Sequence, residues 1–255
     1  MTLTLDHVII RAADPAAVLA ELADRGGLPV LAAVQEVGGR HSGIARAGAI
    51  DVEVLQIGKE DPPRPYGYGL GFRSDADLEE TSRELRALGF PTSAPARAVA
   101  DDRAWRAVQV HGLMPDPFPI PTSGRPPGVG DKITGGLAGA LAKVPAVAKA
   151  ATREAGGSMV VVTDYEFDAG AWRAGAGHGP DVLEVHVNTG GHLTDWQRVP
   201  LAEDMLLRFS DDEPAGITRI VIDGAREPFP VGEVTVEFRA RQLSPPPDAQ
   251  LGRLR

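Results

Sequence analysis

Leu3-Thr4-Leu5-Asp6-His7-Val8-Ile9-Ile10-Arg11 stands at the start of the chain, and Ile50-Asp51-Val52-Glu53-Val54-Leu55-Gln56-Ile57 follows as its echo. Both stretches are rich in β-branched and aliphatic residues and read as strands. Strand alternation puts His7 on the face of Leu5 and Ile9, and Glu53 on the face of Asp51 and Leu55. Each strand thus carries a metal-type donor at its centre. Between them, Asp14-Pro15 opens a helix that carries Ala17, Val18 and Leu22 and stops at Gly26-Gly27. Two further extended runs precede Ile50. The order is β-α-β-β-β.

The same order then returns. Tyr68 to Arg73 reads as a strand, Asp75 or Asp77 caps a helix over Leu78 to Leu88, and Gly89 ends it. Extended runs follow at Pro95 to Val99, Ala104 to His111 and Phe118 to Pro121. The first 121 residues therefore read as two copies of one unit of roughly sixty residues. The expected division is 1–121 for the paired βαβββ domain, 122–158 for a Gly/Pro/Ala-rich linker and helix, and 159–255 for a C-terminal β-rich region.

Two such units resemble the vicinal oxygen chelate superfamily of glyoxalases, bleomycin resistance proteins and extradiol dioxygenases, most closely its glyoxalase-like domain branch. The resemblance rests on Leu5-Asp6-His7-Val8-Ile9-Ile10, on Gly39-Arg40-His41 followed by Asp51-Val52-Glu53-Val54-Leu55, on Gly69-Leu70-Gly71-Phe72, and on Trp105 ahead of Pro117-Phe118-Pro119-Ile120. It covers residues 3 to 121. It implies an α+β fold in which paired βαβββ units form a cupped sheet, with a further C-terminal strand region. In that superfamily metal ligands point inward from the first and last strands of each unit. His7 and Glu53 hold two such positions, with Glu53 also a candidate catalytic base. The implied cofactor is a divalent metal (Zn, Fe, Mn, Ni or Co), chelated by a small oxygenated substrate.

The second unit departs from this pattern. Its matching positions fall near Tyr68 or Leu70 and near Ile120 or Pro121, none a good metal ligand. A third donor would come from His41 or His111. Tyr68, Trp105 and His186 join them as candidate pocket residues. The resemblance therefore leaves two functions open: metal-dependent lyase, isomerase or dioxygenase chemistry, and metal-free binding or sequestration of a small molecule.

Composition narrows the partners. The 255 residues are 43% hydrophobic and 24% charged, with net charge −9 and no dense run of Lys or Arg, so nucleic acid is not an expected partner. There is no cysteine, which removes disulfides, thiolate metal sites and cysteine nucleophiles. The opening residues carry no basic and apolar leader, and a cytoplasmic monomer or homodimer away from membranes is the expectation. Residues 136–154 give an alanine-rich helix interrupted by Pro145, too short and too charged to span a bilayer. In the C-terminal region, strands are expected at 159–167, 181–188, 217–223 and 231–239. Within 181–188, Leu183, Val185 and Val187 fall on one face and Glu184, His186 and Asn188 on the other. No phosphate loop or Gly-x-Ser-x-Gly elbow occurs.

Overall fold

Strand periodicity and two capped helices build the first unit: β1 (Leu3–Arg11), α1 (Pro15–Asp24), β2 (Val30–Val37), β3 (Arg40–Ala47) and β4 (Ile50–Gln56). The Asp14 carboxylate accepts a hydrogen bond from the Ala17 amide, Pro15 sits in the first turn, and Val18, Leu19 and Leu22 are buried. β4 returns parallel to β1, with His7 opposite Asp51 and Ile9 opposite Glu53. The computed structural model describes residues 1–37, 39–57, 61–114, 159–203, 206–212 and 214–241.

The second unit repeats this plan with β5 (Tyr66–Ser74), α2 (Leu78–Ala87), β6 (Ala96–Ala100) and β7 (Arg103–Val110). Asp77 is the cap of α2, accepting from the Glu80 amide, whereas Asp75 accepts from the Thr2 amide. The expected closing strand at 118–121 and the alanine-rich helix at 136–154 lie outside the described residues. The described strand that runs parallel to β5 and antiparallel to β7 is β8 (Met159–Tyr165). It stands to β5 as β4 stands to β1. A strand expected in the C-terminal region thus completes the second unit's pairing.

β1 and β5 lie antiparallel at the centre, and their pairing contains two irregularities. One leaves Asp6 unpaired between Leu5 and His7; the other leaves Tyr68 unpaired between Gly69 and Gly67. Each extra residue reverses the alternation downstream. Leu3, Leu5, Val8 and Ile10 consequently pack on the helix side with Leu70, Phe72, Val18, Leu22 and Leu85. Ile9, Leu55, Tyr66, Tyr68 and Met159 form a separate cluster on the concave side. The expectation that His7 shares a face with Leu5 is corrected by the first bulge, and the second separates Tyr68, on the concave side, from Leu70 on the helix side.

The remaining chain contributes α3 (Ala169–Gly175), β9 (Val182–Asn188), α4 (Leu193–Trp196), β10 (Leu207–Ser210), β11 (Gly216–Asp223), β12 (Phe229–Val231) and β13 (Val234–Arg239). β9 runs antiparallel to β11, as β1 does to β5. β10 is parallel to β9 and β13 parallel to β11. Two abbreviated units therefore extend the same sheet, joined to the first pair by the Ile217–Gly67 bridge. Within β9 a bulge at Leu183 turns Val182, rather than Leu183, into the core. Among the described residues no helix is long and apolar enough to cross a membrane.

Candidate functional site

The concave side of the first two units encloses a cavity of about 340 Å³. Its walls are mostly apolar: Ala32, Val37 and Ile44 from β2 and β3, alanines of β6, Trp105 of β7, and Met159 and Val161 of β8. Phe167 and Trp172, beyond β8, close one flank with edge-to-face contacts. One polar group of the lining is formed by His7, Ser42, Asp51, Glu53, Thr163 and Tyr165; Gln35, Arg40, Arg97 and Arg103 also line the cavity.

His7 is held there by what β5 lacks. It sits opposite Gly71, and a Cβ at that position would clash with the imidazole ring. The ring lies across the bare glycine. Its Nδ1 is 3.0 Å from Asp6 Oδ2 and its Nε2 is 3.7 Å from Glu53 Oε2. A regular strand would send adjacent residues to opposite faces; the bulge at Asp6 brings the two side chains together. Glu53 is fixed from β3 by the Ser42 hydroxyl, which donates to Oε1 at 2.5 Å.

Behind this pair lies a buried charge network. The Asp6 carboxylate has no exposed surface. Its Oδ2 accepts from the Tyr165 hydroxyl at 2.6 Å as well as from His7, while Oδ1 accepts from Arg173 at 2.8 Å and faces Arg73 at 3.1 Å. Arg173 also donates from Nε to Asp51 at 2.7 Å, and Asp51 accepts from Arg46 at 3.0 Å. Burial alone would raise the Asp6 pKa. The His7 hydrogen bond, the charges of His7 and Arg173 and the Tyr165 hydroxyl outweigh it and hold the carboxyl well below its ordinary range. Burial likewise works against a charged His7, but Asp6 first, then Glu53 and Asp51, push its pKa above the ordinary imidazole value. Tyr165 is driven up by burial and by the Asp6 charge, so it stays a phenol. Since an ionised Asp6 can only accept, the proton of the His7–Asp6 bond resides on Nδ1.

The candidate residues separate on this geometry. His7 and Glu53 come together, and Trp105 lines the cavity. Tyr68 is buried in the concave cluster with Ile9 and Leu55 rather than on the cavity surface. His41 is exposed on β3, opposite Gln56 of β4. His111 follows β7, its backbone amide donating to the Pro91 carbonyl, and does not line the cavity. His186 lies on β9, 3.1 Å from Glu184, and is not part of the cavity. Asp6, Tyr165 and Arg173 were not singled out from sequence. Only the Asp6-His7 juxtaposition carried a signal, and strand alternation argued against it.

Among the described residues the donor set does not fit a resident transition metal. Catalytic sites of this kind use three protein ligands. Here His7 and Glu53 supply two, and the facing strands offer Gly69, Gly71, Val161 and Thr163, with no imidazole or carboxylate. Asp6 and Asp51 are engaged by arginines. Among the described residues no group of three or more His, Asp or Glu is placed to hold an ion.

The paired parallel first and last strands around a concave cavity decide the architecture. The chain has the vicinal oxygen chelate fold. No family model and no curated protein matches the sequence. Among solved structures, a hypothetical protein from Staphylococcus aureus aligns over 94% of this chain and 100% of that one, with 10% identity and a TM-score of 0.60. A Mn(II)-bound glyoxalase from Novosphingobium aromaticivorans aligns over 86% of this chain and 65% of that one, at 12% identity and TM-score 0.47. A homoprotocatechuate 2,3-dioxygenase variant from B. fuscum gives 89% and 58%, at 8% identity and TM-score 0.49. At these identities the shared feature is the fold, and the site must carry the function.

Proposed function

We propose that the cavity binds a small oxygenated organic molecule with a largely apolar body, and that His7 and Glu53 move a proton on it without a resident transition metal. The supporting observation is the His7–Glu53 pair, backed by buried Asp6, in a largely apolar cavity. The 3.7 Å between Nε2 and Oε2 is too long for a hydrogen bond. It leaves both tips available to one ligand, since an oxygen can lie about 2.8 Å from each. Glu53, steadied by Ser42, is the base for a C–H beside a carbonyl. His7, whose charged form Asp6 stabilises, faces the oxygen on which negative charge develops. The apolar walls exclude water and strengthen both interactions. The predominance of apolar lining favours a second reading, metal-free sequestration, in which the same groups only orient the ligand.

Proton exchange tests the two. Chelator-treated protein is incubated in deuterated water with a panel of hydroxyketones and 2-oxo acids, and exchange at the carbon beside the carbonyl is followed by NMR. Exchange that survives chelation and disappears in His7→Ala and Glu53→Gln supports proton transfer. Saturable binding without exchange favours sequestration. Exchange that requires added divalent metal refutes the metal-free mechanism.

A further inference from the structure

Trp172 and Arg173 are neighbours on the seven-residue α3, yet they serve different places. Trp172 lines the cavity, packs its edge against Phe167 at 5.7 Å between ring centres, and carries the Arg103 guanidinium 4.8 Å above its ring. Arg173 is 5% exposed and forks between two carboxylates, Asp51 on β4 and Asp6 on β1. A helix this short has little stability of its own. Its N-cap at Asp168 and the buried Ala169 secure one end, and the Arg173 fork secures the other.

We infer that Arg173 is a positioning residue that couples the aromatic flank of the cavity to the orientation of His7 through the Asp6 carboxylate. The inference rests on the reading of His7 as a working group of the cavity. The two oxygens of Asp6 divide their donors. Oδ1 takes Arg173 and Arg73, and Oδ2 takes His7 and Tyr165. With Oδ1 pinned by the rigid guanidinium fork, the carboxylate plane is set and Oδ2 stays aimed at His7 Nδ1. A lysine keeps the charge but cannot bridge Asp6 and Asp51 with the same planar geometry. A shift of α3 that follows an occupant against Trp172 moves the fork, and with it the Oδ2 that orients the imidazole.

The test uses the full chain with ¹⁵N-labelled histidine. The hydrogen-bonded Nδ1 proton of His7 is observed by NMR and assigned by its loss in His7→Ala. In Arg173→Lys this signal moves upfield or broadens away, and the exchange rate on any hydroxyketone turned over by the wild type falls about tenfold while its apparent affinity changes less than about threefold. Trp172→Ala, which keeps the Arg173 side chain but removes the packing that fixes α3, also displaces the His7 signal. An unchanged His7 signal in folded Arg173→Lys overturns the positioning role, and an unchanged signal in Trp172→Ala overturns the coupling. If Arg173→Lys fails to fold, Trp172→Ala still decides. If the wild type exchanges no substrate, proton transfer at the cavity fails, whereas the His7 signal continues to report on Arg173.

Discussion

Asp6→Asn removes one charge from the buried network while keeping its shape, and its consequence follows from the bonds Asp6 makes. The substitution leaves Arg173, 5% exposed, with one carboxylate instead of two, and deprives His7 of its ion-pair partner. Breaking a buried pair by removing one member costs about 3–5 kcal/mol. The pH dependence has two limbs. Asp6 has a depressed pKa in the folded protein, so its contribution is present above the unfolded carboxyl value and is lost as pH falls through the folded value. His7 has a raised pKa, so its contribution is complete below the unfolded imidazole value and is lost as pH rises through the folded value. The difference between wild type and Asp6→Asn should therefore be widest between about pH 4 and 6.5. Above that window it narrows by about 1.4 kcal/mol for each pKa unit by which Asp6 raises His7. Urea denaturation at pH 5, 7 and 9 measures the gap. A gap below about 1 kcal/mol at pH 5, or one that does not change between pH 5 and 9, would refute the network as described.

Two other substitutions probe the cavity from opposite sides. Gly71→Ala forces a methyl group into the space of the His7 ring, and is expected to destabilise by about 1–3 kcal/mol and to lower proton exchange more than about tenfold. Gly175→Ala, where a Cβ meets nothing within 4 Å, is the control and should stay within about 0.5 kcal/mol of wild type; equal effects in both would remove the steric argument. Trp172→Ala truncates the aromatic flank and should weaken binding of an anilinonaphthalene probe about 5- to 100-fold, as read by fluorescence titration; a change below twofold would place the probe elsewhere.

The elements legible in the sequence were those governed by near neighbours. Capping aspartates Asp14 and Asp77 with their apolar stripes marked α1 and α2, because a helix satisfies its bonds within a few residues. The strand character of β1 and β4 followed from their aliphatic, β-branched runs, and the nearness of His7 and Glu53 from the resemblance to paired βαβββ units. The bulges at Asp6 and Tyr68 were not legible. A bulge is a property of a strand pair, so a single strand read by alternation put Leu5 on the face of His7.

By itself the sequence determined the β-α-β-β-β order of the first unit, the two helices, and an imidazole and a carboxylate each at the centre of a strand. Tertiary structure alone decided which groups serve them. Arg173 reaches Asp51 and Asp6 across 122 and 167 residues, and Tyr165 reaches Asp6 across 159. β8 comes to lie beside β5 although more than eighty residues separate them. No local pattern encodes such contacts. They arise because a buried carboxylate must find donors wherever the sheet brings them, and burial sets that demand only once the chain has folded.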